Sequence, residues 1–198
     1  MRIVIATGND HKKEEIKEIL GNQFEIVTMK EEGIQIEIEE NGSSFEENAL
    51  IKARSLIHYT HDHIIADDSG LEVDYLGGQP GIYSARYAGA GATDNDNNTK
   101  LLAELNHVPI SLRHAKFVCV IAMIFPDGRE HIIKGECKGT IALEYNGSGG
   151  FGYDPLFIVD GVDKTFAQLT SQEKNRISHR GEALQQLKEL LMNNRSSS

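Results

Sequence analysis

The chain has 198 residues, 39% of them apolar and 25% charged, which suits one domain or two small lobes sharing a core. Asp plus Glu number 30 against 20 Lys plus Arg, a formal charge of −10. That surplus argues against a nucleic-acid binder whose affinity rests on neutralising phosphates, and against a surface that lies on anionic lipid.

Residues 2–7 read as a buried strand. The apolar part of Met1–Gly8 is too short for a signal peptide, which sets the expectation of a cytoplasmic protein. A helix is predicted over Asp10–Leu20, with Ile16, Ile19 and Leu20 on one face and Gly21 as its stop. Residues 24–28 and 34–38 are short strand candidates. Asn41-Gly42 turns the chain into a second helix reaching about His58, where Ser43 with Glu46 and Ser44 with Glu47 both fit a capping box. Ile64-Ile65-Ala66 is a short strand that runs out into Asp67-Asp68-Ser69-Gly70. The first part of residues 83–99 is a loop, after which Thr93 with Asp96 caps a helix carrying Leu101, Leu102 and Leu105. Residues 114–125 and 130–143 are strands around Pro126-Asp127-Gly128, a hairpin signal.

Phe117–Phe125, the longest apolar run, is far below the ~20 residues that span a bilayer. It contains Cys119, which with Cys137 reads as a pair of reduced thiols rather than a bridge. Tyr145–Pro155 is a glycine-dense loop, Leu156–Val159 a short strand, and a last helical region opens at Ser171 under a Thr170/Glu173 box. Asn193–Ser198 is expected to fray. Alternating strands and helices with a central hairpin predict an α/β fold with a mixed sheet.

Several clusters carry chemistry. Thr7-Gly8-Asn9-Asp10-His11-Lys12 joins a strand end to a helix start, where free N–H groups gather. Lys12 opposes the helix dipole there, which makes sense against an anion. Asp67 and Asp68 point to opposite faces if they lie on a strand, so one of them enters a given pocket. A carboxylate at that place holds Mg²⁺ or takes a proton from water. Glu37, Glu39 and Glu40 could complete a hard-metal site or simply guard a strand edge. Lys52 sits beside the apolar stripe of its helix, with Asn48 one turn earlier, and either snorkels or meets an anion. Gly147–Asp154 formally contains G-x-G-x-x-G, but a strand follows where a dinucleotide fingerprint needs a helix. Its Phe151 and Tyr153 can stack on a base instead, with Asp154 on the base edge. Lys174 and Ser178-His179-Arg180-Gly181 form a basic cluster suited to an anionic ligand. His58, His61 and His63 have metal-like spacing but lie in a polar loop, and read as incidental.

Taken together, Ala6-Thr7-Gly8-Asn9 with Lys12, Ser44–Ala49 with Lys52-Ala53-Arg54, Ala66–Leu71, Leu76–Tyr87, Gly149–Pro155, and Glu173-Lys174-Asn175 with Ile177–Gly181 resemble the inosine triphosphate pyrophosphatase family, in its bacterial dITP/XTP branch. The match runs in order from residue 6 to residue 181. The resemblance implies a long central mixed β-sheet flanked by helices, as a single domain over residues 1–198 with two lobes, an active-site cleft between them, and a homodimer. It implies Mg²⁺-dependent hydrolysis of ITP, dITP and XTP to the monophosphate and pyrophosphate. Asp68 and Glu39 are then the expected metal ligands, and Asp68, or Asp67 beside it, the base that activates water. Thr7, Gly8, Asn9, Asp10, His11, Lys12, Lys52 and Ser69 are expected on the phosphate side. Phe151, Gly152, Tyr153, Asp154, Lys174, His179 and Arg180 are expected to hold the base and nearby groups, with Arg180 donating to O6.

Overall fold

The computed structural model describes residues 1–195. One six-stranded sheet has the order β2-β1-β3-β4-β5-β6, where β1 is Arg2–Ile5, β2 Glu25–Thr28, β3 His63–Val73, β4 His114–Ile124, β5 Glu130–Ile141 and β6 Phe157–Val159. β1 pairs in parallel with β2 and β3, while β5 and β6 are antiparallel, so the sheet is mixed as predicted. The helices are α1 Asp10–Leu20, α2 Phe45–Arg54, α3 Asp94–Glu104, α4 Ser171–Ile177 and α5 His179–Arg195.

The chain divides into two compact units. Met1–Asp68, Cys119–Gly135 and Arg180–Ser198 form the first, Ser69–Val118 and Glu136–His179 the second. Each has its own core. In the first, Ile3 and Ile5 of β1, Ile16 and Leu20 of α1, Ile121 and Met123 of β4, and Leu184, Leu187 and Leu191 of α5 pack together. In the second, Leu71 and Val73 meet Leu101 and Leu105 of α3 and the rings of Phe117, Phe157 and Phe166. Phe157 approaches so closely that a Cβ on Gly139 would lie 2.6 Å from its ring and 2.2 Å from the Ile158 carbonyl, so β5 needs glycine opposite β6.

α1 forms over the predicted span because Asn9 Oδ1 accepts from Lys12 N at one end and Gly21 closes the other. Thr93 and Asp96 complete both halves of their capping box, as do Thr170 and Glu173. Several expectations change. Residues 34–38 form no strand; Ile34 is buried, but the segment has no strand partner. α2 stops at Arg54, where the Ser55 hydroxyl turns back to the Lys52 carbonyl at 2.7 Å. β3 does not end at Ala66 but continues through Asp67-Asp68-Ser69-Gly70 to Val73, with both aspartates buried. The last helical region is two helices, because Ser178 is extended (ψ 157) and breaks the run. α5 continues through Asn193–Arg195 where fraying was expected, and residues 196–198 lie outside the described part. Cys119 and Cys137 are both buried and unbridged. Burial pushes the Cys119 thiol up to about 12. No helix among the described residues is long and apolar enough to cross a membrane.

Candidate active site

Two adjacent carboxylates in β3 organise the first unit, and they serve different partners. Asp67 Oδ2 lies 3.0 Å from Lys12 Nζ and 3.1 Å from Arg180 Nη2. Arg180, buried at the start of α5, also ion-pairs with Glu15 of α1. Burial opposes ionisation of Asp67, but the charges of Lys12, Arg180 and Lys52 outweigh it and hold the carboxyl well below the usual range. The first-turn lysine that opposed the α1 dipole thus faces an anion supplied by the protein itself.

Asp68 is served from α2. Lys52 Nζ lies 2.7 Å from Asp68 Oδ1 and 3.0 Å from Glu40 Oε2, and Asn48 Nδ2 donates to Asp68 Oδ2 at 3.4 Å. Lys52 is 8% exposed, so the residue on the edge of the apolar stripe turns inward and meets acid rather than snorkelling to solvent. Asn48 Oδ1 also accepts from Gly42 N at 2.9 Å, which ties the turn before α2 to the same point. Burial raises the Asp68 pKa against the pull of Lys52, and the like charge of Glu40 adds to the rise. For Glu40 partial burial pushes the pKa up, but the charge and hydrogen bond of Lys52, with Asp68 and Lys12 behind them, together outweigh it and the pKa falls. Glu39, the expected partner of Asp68, is exposed; the carboxylate that reaches Lys52 is that of Glu40. The residue type was evident from the acidic run, but nothing in an irregular segment says which of two neighbours turns inward.

The Thr7–Lys12 loop opens the same unit. Asn9 N donates to Thr7 Oγ1 at 3.1 Å, and Gly8, Asn9, Asp10 and His11 are exposed. A short loop with exposed peptides at the N-terminus of an 11-residue helix can receive phosphate oxygens.

In the second unit the glycine loop is folded around Asp154. Its Oδ2 accepts from Lys174 Nζ at 2.8 Å and from Phe151 N at 2.9 Å. A Cβ on Gly150 would lie 2.0 Å from that oxygen, at φ +72, so only glycine fits. Lys174 Nζ stands 4.7 Å from the Phe151 ring centroid, a cation–π contact. Tyr153 is buried and donates to the Ser84 carbonyl at 2.8 Å. His179 stacks on Phe117, with centroids 4.7 Å apart and planes at 9°. Ser69, the next residue of β3 after Asp68, is partly buried and falls in this unit. Thus Phe151, Asp154 and Lys174 are brought together, with Gly152 and Tyr153 in the same loop. Arg180, in the first unit, has both terminal nitrogens on Asp67 and Glu15. The partner Glu15 was missed, as were Asp94 and Asn98, which bind the Gly152 backbone.

Comparison with known proteins adds an independent line. The model of the Ham1 family matches residues 3–190. A dITP/XTP pyrophosphatase of Caldanaerobacter subterraneus subsp. tengcongensis is 50% identical over 194 residues, covering 97% of this chain and 96% of that protein. One from Bacillus subtilis is 48% identical over 189 residues, 95% of this chain and 96% of its own. Among solved structures, the Staphylococcus aureus Ham1 protein aligns with a TM-score of 0.88 at 42% identity, covering 98% of this chain and all of that one (100%). A Mycobacterium abscessus nucleoside-triphosphatase, also titled dITP/XTP pyrophosphatase, aligns at 0.77 with 43% identity over 94% of this chain and 98% of its own.

Proposed function

Because this chain belongs to the Ham1 family, we propose that it hydrolyses the deaminated purine nucleoside triphosphates ITP, dITP and XTP to the monophosphate and pyrophosphate. The observation that carries the reading is the buried Asp68 carboxylate, flanked by Lys52, Glu40 and Asn48 and held next to a phosphate-suited loop. The residues fit a divalent cation. Asp68 Oδ1 and Glu40 Oε2 both converge on the ammonium of Lys52, and Mg²⁺ asks for one or two carboxylates completed by water and phosphate. Asp68 would hold it with the Glu39–Glu40 pair, Glu40 standing at Lys52 and Glu39 toward solvent, and when bound it would neutralise phosphate charge.

Asp68 then accepts the proton of the attacking water at Oδ2, the oxygen left with the long contact to Asn48. The water oxygen bonds to the α-phosphorus, the bond to the bridging oxygen breaks, and pyrophosphate leaves. Lys52, Lys12 and the Thr7–His11 peptides balance charge on the phosphates, which is catalysis by positioning and electrostatics. Asp67 is the counter-ion of Lys12 and Arg180 and fixes where they stand. Phe151 to Asp154, Lys174 and His179 hold the base. A donor facing O6 leaves the amino group of adenine mismatched, at ~1–3 kcal/mol per unsatisfied buried group. The homodimer and the single domain over residues 1–198 rest on the resemblance, and a cytoplasmic location belongs to the same proposal.

The test is pyrophosphate release from ITP, XTP, dITP, GTP, ATP and dTTP with and without Mg²⁺. Release confined to the deaminated purines and dependent on Mg²⁺ is the expected result. Preference for dTTP would make the chain a pyrimidine enzyme, and binding of ITP without release from any nucleotide would make it a sensor.

A further inference from the structure

The base loop is held from a helix that no expectation assigned to the site. Asp94 Oδ2 accepts from Gly152 N at 2.6 Å, and Asn98 Nδ2 donates to Gly152 O at 2.8 Å. Asp94 and Asn98 are i and i+4 on α3, so one helix face presents an acceptor and a donor together. Those two bonds seize the peptide groups on either side of one Cα and thereby fix both of its dihedrals. Gly152 is the residue where this matters, because it sits at φ +60 and glycine can otherwise turn either way. Phe151 precedes it and Asp154 lies two residues after it, so the orientation of these peptides sets where the ring and the carboxylate stand.

A purely structural role explains Asn98 poorly. The residue is 2% exposed, and its Oδ1 has no hydrogen-bond partner among the described residues. A buried unsatisfied oxygen is unfavourable, and an apolar side chain on a helix that already buries Leu101 would avoid it. What an apolar residue lacks is the donor to the Gly152 carbonyl. The neighbouring Asn97 acts similarly on a second loop, accepting from Ala88 N at 2.8 Å and donating to Ala85 O at 3.3 Å.

We infer that Asp94 and Asn98 are positioning residues that set the nucleobase loop through Gly152, and with it the affinity for the base. This rests on the function proposed above. The test compares Asn98→Asp, which keeps the size but loses the donor, with Asp94→Ala at an exposed position and Asp94→Asn, which keeps an acceptor. Turnover of ITP is measured with Mg²⁺, and binding of ITP and of inorganic tripolyphosphate, a probe without a base, by calorimetry. Circular dichroism checks that each variant folds, and Asp94→Ala carries the test if Asn98→Asp does not.

The expected result is a KM and Kd for ITP raised about tenfold, kcat within about threefold, and tripolyphosphate affinity unchanged, with Asp94→Asn returning KM toward the wild-type value. Unchanged ITP affinity overturns the inference, as does an equal loss for ITP and tripolyphosphate, which marks a general structural effect. A wild type that binds ITP but does not hydrolyse it overturns the proposed activity alone, and the inference is then decided on the Kd values. A wild type that does not bind ITP removes both.

Discussion

Lys12, in the first turn of α1, and Asp67, in the middle of β3, form an ion pair at 3.0 Å whose carboxylate is almost wholly buried. The same oxygen of Asp67 takes Arg180 at 3.1 Å, so one acid neutralises two bases from separate helices. Removing one partner of a buried pair costs about 3–5 kcal/mol, because the remaining charge stays buried. Asp67→Asn should therefore lose stability of that order in urea unfolding. A loss below ~1 kcal/mol would mean that Glu15 alone satisfies Arg180 and that Lys12 finds solvent.

Asp68→Asn should behave in the opposite way. The amide keeps the shape and an oxygen toward Lys52, whose charge is still met by Glu40, so the fold and ITP binding persist. Turnover falls by roughly 10²–10⁴, the usual worth of a general base. Single-turnover kinetics beside calorimetric ITP binding reads both quantities, and retained turnover would take Asp68 out of the chemistry.

His63, at the start of β3, packs its ring edgewise on Phe125 with centroids 5.6 Å apart. Burial lowers its pKa from 6.5, against the raising effects of the Arg2 backbone and Asp62. The folded value lies below the unfolded one, so the unfolded chain takes up the proton first as pH falls. Stability from this residue is full above about 6.5, declines as pH drops through the interval between the two values, and levels off below the folded one. Thermal unfolding of His63→Gln against wild type, followed across that interval, should show a flatter pH dependence in the variant.

Arg113 shows what a buried base does without an acid. It is 4% exposed, and its guanidinium donates to three carbonyls, those of Val108 at 3.0 Å, Ala142 at 2.9 Å and Leu105 at 2.8 Å. Arg113→Met strips all three of this donor, the Leu105 carbonyl keeping only that of Val108 N. At ~1 kcal/mol or more for each, the loss is about 3 kcal/mol, or roughly 6–12 °C in melting temperature for a chain of this size. Arg113→Lys should recover only part of it, since an ammonium lacks the planar fork. Calorimetric scans of the two variants decide this, and equal losses would show that the geometry of the fork is unimportant.

Local signals carried the sequence reading far. The limits of α1 follow from Asn9 and Gly21, and Thr93 and Thr170 mark α3 and α4 through boxes complete within four residues. The angle of Lys52 on α2 set it beside the apolar stripe but left snorkelling and an anion both open, and Asp68 and Glu40 decide between them. The length of β3 was hidden, because Asp-Asp-Ser-Gly has the composition of a turn. It lies inside a strand since its charges are met by Lys12, Lys52 and Arg180, residues that sequence distance keeps apart. That Glu40 rather than Glu39 reaches Lys52 was hidden for a related reason, as alternation decides facing only in a regular strand. Within the basic cluster, Arg180 meets Asp67 and His179 stacks on the Phe117 ring, contacts that sequence distance hides.

The continuation of β3 through both aspartates makes the strand sensitive to counting. A slip of one residue carries every side chain to the opposite face. Deleting one residue upstream in β3 would bring Asp68 to the place of Asp67 and Ser69 to the place of Asp68, leaving the counter-ion but no base. Inserting one would bring Asp67 to the place of Asp68 and Ala66 to the place of Asp67, leaving the base but depriving Lys12 and Arg180 of the acid they share. Length change is thus closed to this strand in evolution, whereas point substitution at its apolar positions stays open.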